Sequence, residues 1–285
     1  MSQRQSTAPP HKLDGNNEVT RPADLPEFDN PPLNEVVLGI QFDPPKGYQQ
    51  IYAGEVWKLY RKDFPHVQEQ PALPPTFETF GPTRAASINF KIESGASHDR
   101  FWFISEDGSQ LIQFQSDRIL HNWRKTTTSN PNYPRFERIC DGFMKEAMTL
   151  EAYLLSLGNP ALVVRQCEVT YINHIPMSRS ESHKIADWLS YLQFDREPDD
   201  LSCAFRQVIR SASGQPVGRL ICEAVTAMDE KGGPFVRFSL TVRGVPDAPT
   251  VASAIEFLTK GREIIVRTFT DMTTESAHQA WRRVQ

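Results

Sequence analysis

The chain has 285 residues, of which 39% are hydrophobic and 23% charged, and its formal net charge is −4 at neutral pH. That length buries a sizeable core, and the composition is that of a globular chain rather than a disordered one. No stretch reaches the roughly 18 consecutive apolar residues of a membrane-spanning helix, and a mildly negative chain is not built mainly to grip nucleic-acid backbone.

The first 27 residues are polar, proline-containing and free of hydrophobic period, and are expected to form a disordered leader. Their "MSQRQSTAPPHKLDGNNEVTRP" lacks the apolar run of a secretory signal, which predicts a cytoplasmic protein. Four scattered cysteines (Cys140, Cys167, Cys203, Cys222) with no CxxC pair fit reduced thiols in that compartment. Next comes "FDNPPLNEVVLGIQFDPP", residues 28–45, in which Val36, Leu38, Ile40 and Phe42 alternate between two proline pairs. It is expected to be a strand whose prolines stop it and guard it against edge-to-edge pairing. In "GYQQIYAGEVWKLYRKDFP", Tyr48, Ile51, Tyr52, Val56, Leu59 and Tyr60 recur at helical steps until Pro65. "QPALPPTFETFG" is proline-broken, "AASINFKI" alternates, and "RFWFISEDGSQLIQFQ" reads as a hairpin turning at Asp107-Gly108. "YPRFERICDGFMKEAMTLEAYLLSLG" is a long helix with Gly158 as its C-terminal stop.

From Pro160 the order restarts. "ALVVRQCEVTYINHIP" is a strand and "SHKIADWLSYLQF" a shorter helix. "LSCAFRQVIRS", "GRLICEAVTAMD" and "PFVRFSLTVRGV" are three strands. A long helix follows, breaking near Asp271 and restarting after Thr273 or Thr274, with Trp281 stapling the last turn to the body. The fold class is therefore α+β, with two similar βαβββα halves, a pseudo-duplication over residues 28–158 and 159–285. The halves form antiparallel sheets with helices packed on one face, and sheets joined edge to edge would make one saddle with an open concave face.

Catalytic signatures are missing. The chain has no phosphate loop, no dinucleotide fingerprint, no nucleophile elbow and no histidine pair at metal-ligand spacing. Glu106 and Asp107, like Glu197, Asp199 and Asp200, sit where turn chemistry alone explains acids. No catalytic residue, metal or cofactor is assigned, and the enzyme reading is the weaker one. The suggestive cluster is aromatic and basic. Phe101, Trp102, Phe103, Phe114 and Trp123 line a hairpin and its exit, and alternation sends Trp102 to the face opposite Phe101 and Phe103. Trp102, Asp117, Arg118, His121, Trp123 and Arg124 are the candidate residues for a partner or ligand.

The opening "NPPLNEVVLGIQF", the mid-chain "FWFISEDGSQLIQFQSDRILHNWRK" followed by "YPRFE", and the ending "FTDMTTESAHQAW" carry a resemblance. The chain resembles an uncharacterised, sporadically distributed bacterial protein family with a PPLxEVxxxIxF opening motif. The resemblance runs from Phe28 onward and is looser between Pro176 and Pro249. It transfers no catalytic residue. A patchy distribution implies mobile genes, as in defence or toxin–antitoxin systems. The expectation is a non-enzymatic binding or adaptor protein with a protein partner encoded nearby. The alternative is a small-molecule or nucleotide binder, with or without catalysis, whose cleft lies between the halves. Nucleic acid and membrane are not expected partners, and the sequence does not set the oligomeric state.

Overall fold

The computed structural model describes residues 21–81, 99–126, 132–177 and 184–285. Among the described residues nine strands run in chain order as β1 (Leu33–Phe42), β2 (His66–Gln70), β3 (Arg100–Ile104), β4 (Gln110–Gln115), β5 (Arg118–Arg124), β6 (Val164–Pro176), β7 (Ser202–Arg210), β8 (Pro216–Met228) and β9 (Pro234–Gly244). The helices are α1 (Tyr52–Tyr60), α2 (Phe136–Ser156), α3 (Ile185–Trp188), α4 (Val251–Met272) and α5 (Glu275–Ala280). The strands form one antiparallel sheet in the order β2-β3-β4-β5-β1-β6-β9-β8-β7. The two halves thus share a single sheet instead of making one each, and β1 meets β6 at the seam.

β1 is consequently a central strand, paired with β5 on one side and β6 on the other. Its prolines end the strand but protect no edge, because there is none to protect. The frame is tied on both sides, with His174 N–H donating to Pro32 O at 2.8 Å and Phe42 N–H to Asp117 O at 2.8 Å.

The period-2 pattern sends alternate residues to opposite faces. Val36, Leu38, Ile40 and Phe42 are buried on one face, in register with Ile119, His121 and Trp123 of β5 and with Val169 and Tyr171 of β6. The helices of the described residues cover this face. α1 buries Ala53, Val56 and Tyr60, and the Tyr60 ring stacks on Phe103. α4 lies close to β6 and β9 at Gly261, where an added Cβ would sit 2.7 Å from Val169 Cγ1. Buried apolar residues of both halves join into one core.

Local signals behave largely as read. α2 ends at Gly158, whose φ of +80° takes the left-handed stop. Thr274 caps α5, its hydroxyl accepting from Ala277 N–H at 3.1 Å, and Trp281 stacks on Trp188 with ring centroids 5.6 Å apart. Elsewhere the structure differs. The helix expected at "SHKIADWLSYLQF" is only four residues long, because Leu189 leaves helical geometry to bridge Thr273. β2 carries no apolar alternation to announce it. The strand expected at "AASINFKI" lies outside the described residues. Residues 21–27, expected in the leader, pack against the C-terminal segment, with Leu25 fully buried and Glu27 bonded to both Gln285 and Val284 backbones. A single leucine is too little to register as a period. No helix among the described residues is long and apolar enough to cross a membrane.

Candidate functional site

Among the described residues, no helix lies on the second face of the sheet. Instead, residues 71–81 cross it as a strap, perpendicular in sense to a pairing strand. Pro71, Pro74 and Pro75 hold this segment extended and remove the N–H groups that a sheet ladder would need. Side chains of the sheet hold it instead. Arg100 Nε on β3 donates to Pro71 O at 3.0 Å. Gln115 on β4 bonds both backbone groups of Leu73, accepting from its N–H at 2.8 Å and donating to its O at 2.9 Å. Arg118 on β5 donates to Pro74 O at 3.0 Å. Gln41 on β1 repeats the glutamine device at Thr76, with bonds of 2.9 and 3.0 Å.

Farther on, the strap inserts the Glu78 carboxylate between two arginines. Arg243 Nη1 on β9 donates to it at 3.0 Å, and Arg219 Nε on β8 lies 3.6 Å away. Glu78 and Arg219 side chains are each only 9% exposed. Arg243 also binds Glu168 of β6 at 2.5 Å. Arg219 finishes the crossing with a bond to Gly81 O at 3.0 Å and its guanidinium over the Phe80 ring. Beneath the strap is a cavity of about 290 Å³ lined by Gly39, Leu120, Gln166 and Arg243, among others. Gln166 is 1% exposed and its Nε2 has no hydrogen-bond partner there.

Beside the strap, a polar chain runs across four strands. Arg100 and Trp102 both donate to Gln113 Oε1, Gln113 donates to Asn122 at 2.9 Å, and Asn122 donates to Glu35 at 2.6 Å. Burial raises the Glu35 pKa above its ordinary value, against the pull of Asn122 and Arg124. Burial, aided by Arg118, lowers that of Arg100.

The six candidate residues do not share one surface. Trp102, Asp117, Arg118 and Arg124 belong to the open face and its rim. Arg118 is a strap anchor, oriented by two bonds from its guanidinium to Asp117 at 2.9 and 3.0 Å. Trp102 is flanked by the guanidiniums of Arg100 and Arg124, 5.7 and 5.6 Å from its ring centroid, so it is a clamped ring and not a free stacking platform. His121 and Trp123 face the helices. His121 Nδ1 meets both carboxylate oxygens of Glu146 on α2 at 3.0 Å, a mid-strand core contact. Trp123 packs against Tyr133. Gln41, Gln115, Glu78, Arg219 and Arg243 were not singled out from sequence. The two glutamines were legible as polar residues at buried-strand alternation; the Glu78–Arg243 pairing spans 165 residues and has no local signal.

Compared with known protein families, with curated proteins and with solved structures, the chain finds no match.

Proposed function

We propose that the chain is a non-enzymatic binding or adaptor protein that receives an extended, acidic segment of a protein partner on the open face of its sheet. The observation that carries this reading is the pair of glutamines, Gln115 and Gln41, each bonding both the N–H and the C=O of one strap residue. Such contacts read a peptide backbone without regard to its side chains. The Arg219–Arg243 pair adds a requirement for one carboxylate, which Glu78 meets in the intact chain. The strap is thus the chain's own stand-in for a partner segment, and the cavity with the unpaired Gln166 amide is room that the strap leaves unused.

The strand order supports reading the halves as two copies of one unit. From the seam outward it runs β1, β5, β4, β3 and then β2 on one side and β6, β9, β8, β7 on the other, so the first four strands of each side correspond and β2 is extra. A duplicated unit accounts for an open face wide enough to lay a segment across. A bacterial defence or toxin–antitoxin setting for such a binder rests on the family resemblance alone.

The test is complementation in trans. Residues 71–81 are replaced by a Gly/Ser linker of equal length, and a labelled peptide of the strap sequence is titrated against the variant. Saturable binding is expected, and Gln41→Ala or Gln115→Ala should each weaken it by about 10- to 100-fold, from two neutral hydrogen bonds worth roughly 0.5–1.5 kcal/mol each. No binding, or binding indifferent to both glutamines, would remove the reading.

A further inference from the structure

On the helix side, a second feature joins the halves. α4 carries Arg262, which is 1% exposed. Its Nη2 donates to Glu137 of α2 at 2.5 Å and its guanidinium lies 4.8 Å from the Phe136 ring centroid, while Nε and Nη1 have no partner. Leaving donors of a buried charge unpaired is costly, and both atoms are themselves buried, so the adjoining cavity is the informative point. Arg262 lines a pocket of about 60 Å³ between the two halves, walled by the 21–33 segment, α2, β6 and α4.

Three further observations give that pocket a sign. The start of α2 borders it: Phe136 and its N-cap Arg135 are both in the lining, and this 21-residue helix has no side-chain cap. Unsatisfied N–H groups and the helix dipole make such an end attractive to anions. Among lining residues, Arg21, Arg135 and Arg262 are cationic and Glu27 anionic; Glu137, bonded to Arg262, adds a second carboxylate. Glu27 is shared between Arg21 at 3.5 Å and Arg135 at 2.8 Å. Three cations against two carboxylates leave one positive charge over; Asp141, a turn farther along α2, is not in the lining. Finally, the hydroxyls of Tyr133 and Tyr171 are 2.9 Å apart, a bond that uses one phenolic proton and leaves the other to donate.

We infer that this pocket binds a small carboxylate, with the carboxyl group at Arg262, the Tyr133–Tyr171 pair and the start of α2. The rest of the lining, including Phe28, Leu33, Ile265 and Phe269, is apolar and suits a short hydrocarbon tail. The volume holds roughly four to six water-sized atoms, which limits the ligand to about two to four carbons. The small-molecule alternative raised by the sequence finds its cleft here and not at Asp117, Arg118, His121 and Arg124. It is independent of the strapped face.

Acetate, butyrate and inorganic phosphate are titrated against the intact protein at constant ionic strength balanced with chloride, following the thermal unfolding midpoint. A saturable rise is expected with the carboxylates and not with phosphate. Arg135→Gly removes one cation at a position whose φ of +74° strains any other residue, so this variant stays folded while its apparent carboxylate affinity falls at least tenfold. Tyr133→Phe combined with Tyr171→Phe should do the same. Arg262→Met, which strands Glu137, serves as a third variant where it folds. No saturable rise beyond that of chloride, an equal rise with phosphate, or an unchanged affinity in the Arg135→Gly protein would each overturn the assignment and leave the pocket to water.

Discussion

Glu35 shows how the open face trades stability for polarity. Its carboxylate is largely desolvated and accepts from Asn122 at 2.6 Å, and desolvation raises its pKa above the ordinary 4.5. A carboxyl with a raised folded-state pKa holds its proton more tightly when folded. Its contribution therefore stabilises at low pH and is lost as pH rises through the folded pKa. At neutral pH the charge is a net cost. Glu35→Gln keeps an oxygen for Asn122 and removes the charge, so the variant should be the more stable protein in urea melts at neutral pH. That advantage should disappear below about pH 4.5. A wild-type protein more stable than Glu35→Gln at neutral pH would show that Arg124 and Asn122 outweigh desolvation. At this scale the sequence was partly readable. Alternation separated Trp102 from Phe101 and Phe103 correctly, and Trp281 and Thr274 take their expected roles. It had no means of showing that Arg100 and Arg124 close over Trp102, since those contacts depend on side-chain reach across strands.

Among the elements, α4 sets the tightest constraint. Glycine inside an exposed helix costs about 1 kcal/mol relative to alanine, yet Gly261 lies where any Cβ would meet Val169 at 2.7 Å and Val242 at 3.1 Å. Close approach wins over propensity. Gly261→Ala should destabilise by about 1–3 kcal/mol through overpacking, read as a lower midpoint in chemical denaturation; a gain in stability would mean α4 shifts freely on the sheet. Long periodic elements such as α2, α4, β6, β8 and β9 were legible because burial on one face imposes a period. α3 was legible in place but not in length, because a single bridge to Thr273 ends it, and β2 was not legible, because its residues are nearly all exposed and carry no apolar alternation. The strap falls in between. Its prolines marked an extended, non-pairing segment, but its partners lie on six strands that the chain order scatters.

For the molecule as a whole, one antiparallel sheet divides two kinds of chemistry. The helix side is a single apolar core with the Arg262 pocket at the junction of the halves. The other side is a polar face occupied by a segment of the same chain. Both halves contribute to each, because β1 and β6 pair along nearly their full length at the centre. The order βαβββα reads in both halves of the sequence, yet β2, β3, β4 and β5 all lie between α1 and α2, one strand more than in the second half; the sequence leaves open whether the halves fuse into one sheet, since edge pairing between distant strands leaves no local mark. The account stands on the open face being the partner surface. Its most direct test is affinity capture from the native cells with the intact chain and with an Arg219→Ala, Arg243→Ala double variant, compared by quantitative mass spectrometry. The account predicts a stoichiometric partner with an acidic extended segment, retained by the intact chain and depleted about tenfold or more by the double variant, since charged hydrogen bonds contribute about 1.5–3 kcal/mol each. A partner held equally well by both proteins would place the binding surface elsewhere and contradict it.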